Sequence, residues 1–280
     1  MPARVPAYMA RSYMRHSRPR RASGGSVGVL QVVGSVNTPG GASDANSGAI
    51  RIMRTGGANV GAAEFTMEMW IRPSATDADN GVTGQVTAGA NYSGTNGNII
   101  NDADGFSTGQ GWIVGLDTGR LYFSIVVDGG GAGNIRTIIG TTDLRDGAWH
   151  HIAYYHDASG GTMDLFVDGN REATGTEVGD CSFPGGGAAT DDENMLGKEK
   201  LNLGFGYDGD ISEVRISTNR RYNGATYNVP TAAFAADGNT VGLYHLDENT
   251  GTTAGDTSSE NNDGTLIGSP TPTWSTDDPF

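Results

Sequence analysis

Three short phrases between Asp146 and Ser217 constrain this chain more than anything else in it. They are Asp146-Gly147-Ala148-Trp149-His150-His151-Ile152-Ala153-Tyr154-Tyr155, Met163-Asp164-Leu165-Phe166-Val167 and Gly209-Asp210-Ile211-Ser212-Glu213-Val214-Arg215-Ile216-Ser217. From Met163 to Val167 the apolar residues fall on every second position, the period of a strand with one buried face. Asp168-Gly169 follows at once and is the strongest hairpin signal in the chain, because a two-residue turn needs positive φ at both positions. The same alternation recurs in Phe65-Thr66-Met67-Glu68-Met69-Trp70-Ile71, which Arg72-Pro73 ends, and in Leu121–Val127, where Leu121, Phe123, Ile125 and Val127 should face a core.

Further strands are expected at 49–53, 99–100, 111–116, 136–139, 201–203 and 241–246. Loops are expected at 77–98 and 179–200, an extended surface run from Arg221 to Phe234, a turn-rich stretch over 251–268 and a loosely held end at 271–280. Glycine is frequent (45 of 280 residues) and charged residues are few (18%), as short strands joined by tight turns require. The expected fold class is all-β, a two-sheet antiparallel β-sandwich with an extended basic N-terminal arm. The arm takes residues 1–35 and the sandwich 36–280.

Charge divides the chain unevenly. Residues 1–24 carry Arg4, Arg11, Arg15, Arg18, Arg20 and Arg21 with no acid, so the other 256 residues hold 12 basic and 32 acidic side chains, a net of −20. The arm is expected to dock on an acidic partner, with other protein subunits of an assembly favoured. The acidic body disfavours nucleic acid, which only the arm could contact. No run of 18 apolar residues is present to span a membrane as a helix, and the basic N-terminus lacks the apolar stretch of a signal peptide.

The single cysteine, Cys181, excludes an internal disulfide framework and reads as an inert thiol, since a catalytic one needs an activating histidine. On a strand His150 and His156 share one face and His151 takes the other, so the three cannot converge on one metal; Trp149 and His151 read as scaffold. Calcium suits oxygen ligands on loops. Asp102 and Asp104 of Asp102-Ala103-Asp104-Gly105 form one candidate site, and Asp256 with Asn262-Asp263 a second. Tyr92 and Tyr207, each in a polar loop context, are the candidate aromatic platforms for a sugar. Gly24-Gly25-Ser26-Val27-Gly28 and Gly204-Phe205-Gly206-Tyr207-Asp208-Gly209 match a nucleophile elbow and a dinucleotide fingerprint in letters alone, because no helix is expected after either.

Taken together the phrases resemble the laminin-G-like, concanavalin A-like lectin/glucanase superfamily. Residues 65–73 match its FTxExWxxP strand, 146–153 its DGxWHHxA strand, 163–170 its xxLYVDGxx hairpin and 209–217 its GxIDEVRIx strand, in family order. Arg221-Tyr222 through Phe234 is similar to a tail found in modules of bacteriophage and other virion proteins. Residues 241–266 look like an element that opens many relatives and here closes the domain. The resemblance implies a jelly roll of about 12 to 14 strands whose members bind glycans, proteins or calcium, some being glycosidases. Laminarinase-like members carry ExDxxE on one strand, to hold a nucleophile and an acid/base in one cleft. Neither Glu68 nor Glu213 begins such a phrase, so no catalytic residue is assigned. The expected function is a non-enzymatic structural or decoration protein of a virion surface, with a carbohydrate-binding or host-surface adhesin as the alternative and a glycoside hydrolase third.

Overall fold

Along Phe65–Pro73 (β3) the side chains of Phe65, Met67, Met69 and Ile71 enter one core while Thr66, Glu68, Trp70 and Arg72 take the opposite face, as alternation requires. The computed structural model describes residues 29–32, 48–53, 60–74, 98–101, 111–127, 135–182, 193–197, 207–268 and 271–280. These contain sixteen strands and no helix, in two eight-stranded antiparallel sheets. The fold is the expected sandwich.

The first sheet centres on β3, flanked by His150–Asp157 (β8) and Gly209–Ser217 (β12). Beyond β8 lie Thr162–Val167 (β9) and Asn170–Thr176 (β10). Beyond β12 lie Val29–Val32 (β1), Thr273–Ser275 (β16) and, on the other half of the same edge, Thr240–Tyr244 (β13). The second sheet runs Thr253–Ala254 (β14), Gly264–Ile267 (β15), Ala49–Met53 (β2), Glu193–Leu196 (β11), Asn98–Asn101 (β4), Gly111–Asp117 (β5), Arg120–Val126 (β6) and Ile135–Asp143 (β7). Between the sheets Phe65, Trp112, Phe123 and Tyr154 form an aromatic centre, with Phe123 and Tyr154 ring centroids 4.9 Å apart.

The hairpin forms as expected. Asp168 and Gly169 have φ of 45° and 84°, and a Cβ on Gly169 would meet the Tyr227 carbonyl at 2.7 Å, so glycine is required there.

Several expectations are corrected. Val29–Val32, counted with the arm, pairs with β12 and β16. The loop expected over 179–200 contains β11, which joins β2 to β4. The turn-rich 251–268 holds two strands, of which β15 pairs along β2. The closing element therefore passes from the first sheet, through β13, to the edge of the second. The end at 271–280 is held: β16 pairs with β1, Trp274 Nε1 donates to the Gly251 carbonyl at 2.8 Å, and the Phe280 ring packs on Trp70. Within β12 a bulge between Ser212 and Arg215, with Glu213 at φ 52°, breaks the alternation, so that Ile211 and Val214 both enter the core three residues apart.

Candidate functional site

The outer face of the first sheet carries the polar and aromatic side chains that could do chemistry or hold a ligand. Its distal half is sealed. Residues 218–239 cross it as a strap, and beneath that strap Glu68 is fully buried. Arg215 Nε donates to Glu68 Oε1 at 2.8 Å, the Tyr222 hydroxyl donates to Oε2, and His151 Nε2 lies 3.3 Å from Oε2. Burial works against charge on Glu68, but His151, Arg215 and Tyr222 outweigh it and hold the carboxyl below its ordinary range. Burial beside Glu68 pushes the Tyr222 phenol up.

The Tyr227 hydroxyl shares a 2.5 Å hydrogen bond with His151 Nδ1, and its ring stacks on Tyr222 at 3.8 Å. Glu213, also fully buried, accepts the Phe234 amide at 2.8 Å and lies 2.9 Å from His245 Nδ1. Arg215 covers the Phe234 ring at 4.5 Å. Both glutamates are thus consumed in holding the strap.

The other end of the face is open. Where β3 ends and β12 begins, a recess of about 260 Å³ is lined by Arg72, Pro73, Ser74, Gly147, Asp208, Gly209 and Asp210. The antiparallel register places Arg72 opposite Asp210. Arg72 Nε donates to Asp210 Oδ2 at 2.8 Å, its Nη1 donates to Asp277 at 2.5 Å, and its guanidinium lies 5.0 Å from the Trp149 ring centroid. Burial, aided by Asp277 and Asp208, pushes the Asp210 carboxyl up against the pull of Arg72. Next along β3, Trp70 is 7% exposed and meets the rings of His151 and Phe280 at 5.3 and 5.6 Å. The indole N–H groups of Trp70 and Trp149 are buried and find no acceptor among the described residues.

Of the site residues expected from sequence, Arg4, Arg11, Arg15, Arg18, Arg20, Arg21, Tyr92, Asp102 and Asp104 lie outside the described residues. Tyr207 is corrected. Its side chain is fully buried and its hydroxyl donates to the Asp210 carbonyl at 3.2 Å, so it backs the recess and offers no face to a sugar.

The second calcium candidate does not fit a metal. Asp256 accepts the Leu243, Ser258 and Asn262 amides, each at 2.9 Å, and Asp263 accepts the Asp256 amide at 2.8 Å. These oxygens close a turn. A histidine does stand by Cys181, with His156 Nδ1 3.5 Å from Sγ, yet both side chains are fully buried and burial holds His156 below its ordinary value. A neutral imidazole does not stabilise a thiolate, and the thiol stays scaffold. His150 and His156 face the core side of β8 and His151 the strap, as alternation predicts.

Sequence reasoning missed Arg72, Asp210 and Trp149 as a group. Their meeting depends on the β3–β12 register across 138 residues, and the only local trace was an arginine at a strand end.

Comparison with known proteins agrees with this architecture. A family model described as the concanavalin A-like lectin/glucanases superfamily, laminin G type, matches residues 44–222, more than half of the chain. The chain belongs to that family. A sushi, von Willebrand factor type A, EGF and pentraxin domain-containing protein of Rattus norvegicus is 35% identical over 81 residues, covering 26% of this chain and 2% of the rat protein. The match therefore spans a small fraction of that relative. A candidate carbohydrate-binding protein from Bacteroides ovatus superposes with a TM-score of 0.53 at 17% identity, covering 90% of this chain and 60% of its own. A heptameric pentraxin from Limulus polyphemus gives 0.43 at 15% identity, covering 68% and 75%. The likeness to the Bacteroides ovatus protein is one of fold.

Proposed function

We propose that this chain is a non-enzymatic glycan-binding module displayed on a larger assembly, of which a virion surface is the favoured setting, with the basic N-terminal segment as its anchor. One observation carries the reading. Glu68 and Glu213 are buried in the strap's own bonding, while the described residues leave a small open recess beside tryptophan and arginine. In the recess Asp210 is tied to Arg72, and the neighbouring tryptophans offer contact faces, an arrangement suited to holding a ligand. The charge division supports display, since an acidic body repels other acidic surfaces while a basic segment seeks one.

A glycan array probed with the full chain tests the first half. Specific retention lost on Trp149→Ala supports it, and retention by no glycan rejects it. Deleting residues 1–24 tests the second half: the variant should fold and fail to enter particles or oligomers, and normal incorporation rejects the anchor.

A further inference from the structure

The recess is not bare. The segment Ser275–Phe280 runs beside it and brings two kinds of group: the Asp277 carboxylate accepts from Arg72 Nη1, which lines the recess, and the Phe280 ring meets Trp70, the next outward-facing residue of β3. Both contacts are exposed on the segment's side, with the Asp277 side chain 52% and Phe280 44% accessible, whereas Trp70 beneath is 7%. What lies below is buried, and what lies above keeps its outer side exposed.

We propose that Arg72, Trp70 and Trp149 form a subsite for a carboxylate-bearing sugar, and that Ser275–Phe280 occupies it as an internal competitor. This rests on the reading of the recess as the glycan-facing surface and specifies the ligand class. Three arguments select that class. First, the exchange conserves charge: one carboxylate leaves Arg72 and another arrives, so Asp208 and Asp210 see no added negative charge. Second, a neutral sugar that displaced Asp277 would leave the Arg72 Nη1 group without the carboxylate that now accepts from it, so an acidic sugar is preferred there. Third, the apolar face of a pyranose can take the place of the Phe280 ring on Trp70, and a sugar hydroxyl is the kind of acceptor that the indole N–H groups of Trp70 and Trp149 do not find among the described residues. An ammonium-bearing ligand fits less well, because the cation–π position over Trp149 is already filled by Arg72.

The test compares the full chain with the release variant Asp277→Ala/Phe280→Ala. Each is titrated against a panel of uronate and ulosonate oligosaccharides and against the carboxyl-reduced counterpart of each, with tryptophan fluorescence and calorimetry as readouts. Release should strengthen binding of at least one acidic sugar by about tenfold or more, and carboxyl reduction should weaken it by about the same factor. Arg72→Gln added to the release variant should erase the preference for the acidic form. Trp149→Phe, which keeps the ring and removes the N–H, should weaken both forms, and it serves as the second variant should Arg72→Gln unfold. Equal binding of acidic and reduced sugars, or no gain on release, overturns the inference. Array binding that ignores changes at Asp277, Phe280 and Arg72 leaves the proposed function standing and rejects this subsite. Silence of both proteins toward every glycan rejects both.

Discussion

Two parts of one surface, four residues apart along β3, both gather charged and aromatic side chains and are used differently. Around Glu68 an arginine, a histidine and two tyrosines surround a carboxylate, and the strap closes over them until Glu68 is fully buried. Around Arg72 two tryptophans and three carboxylates are gathered, yet a recess remains and two indole N–H groups find no acceptor among the described residues. Residue type alone does not separate scaffold from site here. What separates them is whether the chain covers the group: the strap closes over Glu68, whereas Arg72 is left beside a recess.

That contrast is open to direct attack, and the strongest blow falls on the sealed half. Glu68→Ala strands Arg215 and His151 beneath the strap, and urea unfolding should show a loss of about 3–5 kcal/mol, as expected when one partner of a buried ion pair is removed. A small loss there, with glycan binding abolished instead, would exchange the roles of the two halves. Tyr222→Phe removes one donor to the same carboxylate and should cost about 1–3 kcal/mol in that assay, leaving recess binding unchanged.

Acidity sharpens the comparison further. Burial opposes charge on His150, but Asp168 and Asp146 outweigh it and raise its pKa; Glu213 raises that of His245 against burial. Their stabilising contribution is fully present below the ordinary histidine value of about 6.5 and is lost as pH rises through their higher values in the fold. Buried His156 is lowered, so its contribution is lost as pH falls below about 6.5. For these three groups the melting temperature should therefore peak near neutrality and fall on both sides. His245→Gln should flatten the alkaline side, and an unchanged slope would show that Glu213 does not hold the strap through His245.

The smallest effect belongs to the open half. Asp277→Asn should change stability by no more than about 0.2–1 kcal/mol, since Asp277 is 52% exposed, while altering ligand binding. A large stability loss there would make the tail contact structural.

Much of the scaffold was legible from alternation. Phe65, Met67, Met69 and Ile71 point inward as their spacing says, and Asp168-Gly169 turns the chain where only positive φ serves. Legibility failed where strands are short and polar. Glu193–Leu196 begins at the end of an acidic run, and Gly264–Ile267 is four residues beginning with glycine; each pairs because strands distant in sequence present an edge, a cause that no local window contains. Tyr207 misled for the opposite reason, with polar neighbours in sequence and a fully buried ring. The recess was hidden because Arg72 and Asp210 meet only through register.

The short strand Val29–Val32 has a mechanical meaning. It is hydrogen-bonded on both sides, antiparallel to β12 and to β16, and those bonds run across its axis. Tension drawn along the chain from the preceding residues therefore shears both ladders at once, where a hairpin pulled from its open end would give way bond by bond. A module tethered from that side resists being tugged from its support while β16, and with it the segment over the recess, feels every pull.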